Sequence, residues 1–124
     1  MHQLNTYEQK LLAGWEETYN KGQLSLWILL SLKAGPKYMS QIKEFILEST
    51  SKLVDPDDKS VYRALRRFRD SELIDYNLLP STSGPDLKSY FLTTTGTNVL
   101  NVFLGRNIAG VILLPKNRQL IEKE

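Results

Sequence analysis

The spacing of apolar residues is helical up to Ser71, alternating from Leu73, and helical again from Thr93, and few folds accommodate that sequence of periods. On a helical wheel of residues 3–20, Leu4, Tyr7, Leu11, Leu12, Trp15 and Tyr19 share one arc of about 140°, so this stretch reads as an amphipathic helix. Asn20-Lys21-Gly22 reads as its stop. Residues 24–33 form a second, more apolar helix closed by Gly35-Pro36. A third covers residues 40–51, with Ile42, Phe45 and Ile46 inward. Asp55-Pro56-Asp57-Asp58 is a turn whose carboxylates can cap a fourth helix over residues 59–71.

The alternating part reads as a β-hairpin: strands at 73–78 and 88–92 around a loop of Pro, Ser, Thr and Gly at 80–86. Thr93 then caps a last helix that runs to Leu114, where Pro115 stops it. The expected fold is mainly α with a small β-hairpin wing, an α+β winged helix-turn-helix carrying N- and C-terminal dimerisation helices. With 124 residues and no repeat or linker, the chain reads as one domain, 1–124. Residues 1–20 are the N-terminal dimerisation helix, 22–93 the winged helix-turn-helix, and 94–124 the C-terminal dimerisation helix and tail.

Composition removes most chemistry. The chain has no cysteine, and its one histidine is His2. No thiolate, His-based catalytic constellation or metal cage can therefore be assembled in the usual ways, and no paired-carboxylate motif stands in for them. The spacing of Asp55, Asp57 and Asp58 is not that of a calcium loop. The expectation is a protein that is not an enzyme and needs no cofactor or metal. Glu8, Lys10, Glu16 and Glu17 interrupt any N-terminal leader, and the apolar runs at 26–30 and 111–114 are too short for a bilayer. A cytoplasmic protein with no membrane partner is expected.

The net charge of +2 decides nothing, but its distribution does. Residues 59–69 hold five basic side chains, Lys59, Arg63, Arg66, Arg67 and Arg69, and no acidic one. With Tyr62 set at zero on a helical wheel, Val61, Ala64, Leu65 and Phe68 fall at about 200–300°. The cations, Tyr62 and Ser60 take the remaining arc. One face suits a core and the other suits phosphates and guanine edges.

From Gly22 to Thr95 the chain resembles the PadR family of bacterial and archaeal transcription regulators. The resemblance rests on Gly35-Pro36 after an apolar helix and on Ser60-Val61-Tyr62-Arg63-Ala64-Leu65-Arg66-Arg67 in the recognition helix. It continues through Leu73-Ile74, Lys88-Ser89-Tyr90-Phe91-Leu92-Thr93 and Gly96. Tyr38-Met39-Ser40 and Glu72 depart from it, the latter standing where the family has glycine. The resemblance implies a homodimer, a repressor that binds a palindromic operator in double-stranded DNA. The DNA-binding candidates are Lys59, Ser60, Tyr62, Arg63, Arg66 and Arg67, with Lys88 and the Ser81-Thr82-Ser83 tip along the backbone.

The last helix is apolar on most of its circumference, which calls for burial by more than one neighbour. The dimer-interface candidates are Leu4, Leu11, Trp15, Phe103, Ile108, Val111 and Ile112. Some short family members hold flat aromatic compounds between tryptophans, so Trp15 is also the candidate seat for a small hydrophobic or aromatic effector. The alternative is a winged-helix module for protein–protein contacts without sequence-specific DNA binding. That use leaves five cations and no acid on one helix face without a purpose.

Overall fold

A computed structural model describes residues 3–124; His2 lies outside them. Five α-helices, one π-helical segment and a two-stranded hairpin follow in the order α1 (Thr6–Lys33), α2 (Met39–Ser49), α3 (Asp58–Asp70), β1 (Ile74–Leu79), β2 (Leu87–Leu92), α4 (Thr94–Phe103), the π-helix Leu104–Ile112 and α5 (Pro115–Glu122). This is the winged helix-turn-helix layout, with α2 and α3 as the helix-turn-helix pair.

The two helices expected at 3–20 and 24–33 are one. Asn5 and Glu8 start α1 as a reciprocal cap, each side chain accepting from the other's amide at 2.8 and 3.0 Å. The helix then passes through Asn20-Lys21-Gly22. A lone glycine inside a helix costs only about 1 kcal/mol, and no proline follows to remove the next hydrogen bond. Gly35-Pro36 is the real stop, because Gly35 has φ +145°, which side-chain-bearing residues rarely adopt.

Only the second half of α1 enters the core, through Ile28, Ser31 and Leu32. They meet Ile42 and Ile46 of α2, Val61, Ala64 and Leu65 of α3, and Ile74 and Tyr90 of the hairpin. Trp27 is half-buried against this cluster, its indole N–H donating to Gln23 at 3.0 Å, as a core residue would. The first half of α1 leaves Tyr7, Leu11, Leu12, Trp15 and Tyr19 exposed.

The hairpin pairs Ile74 with Leu92 through Leu79 with Leu87. Lys37 adds a third short stretch, exchanging both backbone hydrogen bonds with Tyr90 at 2.9 and 3.0 Å. This ties the wing to the α1–α2 connection. Between α3 and β1 the chain turns through a complete Schellman motif. Leu73 donates to the carbonyl of Phe68 and Glu72 to that of Arg69, with Glu72 at φ +64°. Thr93 caps α4, its hydroxyl oxygen accepting from the Gly96 amide at 3.0 Å.

The expected unbroken helix from 94 to 114 is corrected in two places. After Phe103 it widens into nine π-helical residues. Gly105 and Gly110 stand five apart, the π repeat, and a β-carbon at Gly110 would lie 2.6 Å from the Gly105 carbonyl oxygen. Pro115, expected only to end a helix, opens α5 at a position where its missing N–H costs nothing. The axis turns by 58° there. Among the described residues, no single helix is long and apolar enough to cross a membrane.

Two backbone positions make testable demands. A β-carbon at Gly96 would fall 1.8 Å from the Leu73 carbonyl oxygen, which is backbone and cannot step aside. Gly96→Ala should therefore destabilise the fold by roughly 1–3 kcal/mol or more in urea titration. Glu72 holds the left-handed conformation that suits glycine, so Glu72→Gly should raise stability by about 1 kcal/mol in the same measurement.

Candidate nucleic-acid interface

The candidate surface is built on α3. Asp57 starts the helix by accepting the Ser60 amide at 2.6 Å, and that bond holds its carboxyl below the ordinary aspartate range. Lys43 of α2 reaches Asp58 at 2.5 Å and ties the two helices of the pair together. Val61, Ala64 and Leu65 are buried, so the opposite face of α3 must point outward. Lys59, Arg63, Arg66, Arg67 and Arg69 are exposed on it, Tyr62 is 48% exposed and Ser60 half-buried.

The structure brings Tyr62, Arg63, Arg66 and Arg67 onto one open face, as the helical wheel requires. Lys88 stands in the returning strand beside the wing loop. It is half-buried, with its ammonium 4.9 Å from the Tyr76 ring centre and 5.9 Å from that of Tyr62. The ring quadrupoles attract a cation across these distances. The tip residues Thr82 and Ser83 are exposed, Ser81 half-buried.

Periodicity does not mark Tyr76, which organises this region. The Arg69 guanidinium sits 4.3 Å from its ring centre, and its edge meets Tyr90 at 5.6 Å and 64°. Arg69 also donates to Asp75 at 3.2 Å. The Tyr76 amide and Arg69 together hold the Asp75 carboxyl below its ordinary range, while burial pushes the Tyr90 phenol up. Between helix and wing lies an open cleft of about 340 Å³, bounded by Tyr62, Arg66, Arg69, Tyr76, Lys88 and Tyr90. The one clue in the residues is that Tyr76 and Tyr90 are cross-strand partners on alternating positions.

The interface candidates belong to the terminal segments rather than to α3 or the hairpin. Leu11, Trp15, Phe103, Val111 and Ile112 are exposed, Trp15 at 74%, while Leu4 and Ile108 are half-buried. Leu113, Leu114, Leu120 and Ile121 add to the exposed apolar surface of the C-terminal arm.

The model of the transcriptional regulator PadR-like family matches residues 28–102. Among solved structures, a PadR-like transcription factor from Bacteroides fragilis is 28% identical, with a TM-score of 0.62 over 75% of this chain and 87% of that one. A PadR-like transcriptional regulator from Bacillus cereus is 24% identical, with a TM-score of 0.66 over 84% and 96%. Bacillus subtilis PadR, solved in complex with operator DNA, is 22% identical, with a TM-score of 0.59 over 65% and 46%. No curated protein matches the sequence.

The cap on α3 predicts a pH effect. A carboxyl depressed in the folded chain contributes stability that is present above its unfolded range, near 3.8, and is lost as the pH falls through the folded value. Asp57→Asn keeps an acceptor for the Ser60 amide without that titration. Thermal midpoints should therefore fall less steeply below pH 4 for Asp57→Asn than for the unaltered protein. Parallel acid limbs would show that the cap owes nothing to its charge.

Proposed function

Because the chain belongs to the transcriptional regulator PadR-like family, we propose that it is a sequence-specific DNA-binding repressor acting as a homodimer on a palindromic operator. One observation carries the reading. The outward face of α3, from Lys59 to Arg69, is cationic along its length, and the inward face is locked into the core. A helix so mounted can enter a major groove without disturbing the fold beneath it. That a family relative was solved on operator DNA supports the same use of the fold. The domain that reads DNA is 22–93, and the DNA-binding residues are Lys59, Ser60, Tyr62, Arg63, Arg66 and Arg67. Lys88 joins them from the wing, with the Ser81-Thr82-Ser83 tip along the phosphate backbone. The cytoplasm is where such a protein meets its operator.

The terminal arms supply the dimer. Leu4, Leu11 and Trp15 of 1–20 and Phe103, Ile108, Val111 and Ile112 of 94–124 form its interface in this reading. Leaving large apolar side chains in water forgoes about 1.5–3 kcal/mol each, a large sum beside the roughly 5–15 kcal/mol that holds a small domain folded. A self-complementary two-fold contact removes that cost for both chains at once. It also sets two recognition helices against two half-sites. The Trp15 ring, 74% exposed in a single chain, is the proposed seat for an aromatic effector in the dimer.

Two measurements test this. Light scattering at micromolar concentration should give twice the mass of one 14.3 kDa chain; a monomer that still bound DNA tightly would overturn the assembly. On a fragment selected from random DNA, Arg66→Ala or Arg67→Ala should weaken binding and reduce the salt slope by about one unit for each phosphate no longer neutralised. A bidentate base contact should instead cost about 1–3 kcal/mol at one position of the site. If neither arginine changed affinity or slope, α3 would not be the reading head.

A further inference from the structure

Five cations line the outward face of α3, but one of them is already occupied. Arg69 stands seven residues, about two turns, beyond Tyr62 and so shares its side of the helix. It borders the same cleft as Arg66 and Lys88. Its guanidinium, however, faces Asp75 at 3.2 Å and lies over the Tyr76 ring at 4.3 Å. Asp75 is itself held in place, since its carboxylate accepts the Tyr76 amide at 2.8 Å. An exposed ion pair alone is weak. Here a fixed carboxylate and a ring hold the same group, and both must be given up to move it.

The charges explain why an acid is needed at that point. The Lys88 ammonium lies 4.9 Å from the centre of the Tyr76 ring that Arg69 also uses. Two cations on one small platform repel each other, and Asp75 is the anion that neutralises one of them. We propose that Asp75 withholds Arg69 from DNA, so that it limits the number of phosphates this protein neutralises and restrains sequence-independent binding. The inference rests on the DNA-binding reading and concerns the end of α3 nearest the wing. Removing the carboxylate removes the partner of Arg69 and a negative charge that would itself face the phosphates. Arg69, on a long flexible stem, then turns outward to a phosphate.

The test is the salt dependence of binding to a random-sequence duplex about three helical turns long. Asp75→Asn keeps the size of the side chain and an acceptor for the Tyr76 amide, and the position is about half exposed, so the fold should be retained. It should bind several-fold more tightly and steepen the salt slope by roughly one unit, the mark of one more phosphate neutralised. Adding Arg69→Ala to Asp75→Asn should abolish that extra slope. A salt-dependent slope in the unaltered protein that Asp75→Asn leaves unchanged, or a steeper slope that survives removal of Arg69, would overturn this inference alone. No salt-dependent binding by the unaltered protein would overturn the DNA-binding reading and this inference with it.

Discussion

Three buried side chains, Val61, Ala64 and Leu65, carry the consequences of everything on the other side of α3. The cations opposite them are spaced to repel: Lys59 and Arg63, and Arg63 and Arg67, are four residues apart on a helix. Each such pair costs about 0.2–0.5 kcal/mol. Burying a valine or leucine gains about 1.5–3 kcal/mol. The core contact therefore wins, and it wins by enough to hold a helix that is too charged to be stable alone. Asp57 at one end and the Schellman turn at the other fix where that helix begins and stops.

The wing depends on the same seat. β1 leaves α3 through Glu72 and Leu73, and α4 returns to the Leu73 carbonyl at Gly96, so both sides of the hairpin are anchored at one backbone crossing. Lys37 holds the far strand by two more backbone bonds. With the strands fixed, Tyr76 and Tyr90 present their rings to α3, and the cations of both elements settle on aromatic faces. Helix and wing are thus one surface.

Much of this is legible in the residues. The two-faced wheel of 59–69, the hairpin and the Gly35-Pro36 stop follow from local rules, and the structure has them within a residue or two. What local rules miss depends on distant parts. Gly22 resembles a stop, yet the helix propagates because nothing after it forbids an intrahelical hydrogen bond. The Lys37–Tyr90 bridge joins residues 53 positions apart that share no pattern. The contacts of Lys88 with Tyr62 and Tyr76 are hidden too, because neither the wheel nor the strand alternation discloses that two tyrosines converge on it. Gly105 and Gly110 carry no signal of their own until their spacing of five meets the π repeat.

The continuity of α1 has a mechanical meaning. Its 28 residues span about 42 Å, from the exposed Tyr7 and Trp15 to the buried Ile28 and Leu32 beneath α3. A break at Gly22 would have left the arm as a loosely tethered flap. As built, α1 is a lever with its fulcrum in the core. The exposed arm and the buried end therefore share one continuous helical axis, with no non-helical residue between Thr6 and Lys33 to serve as a joint.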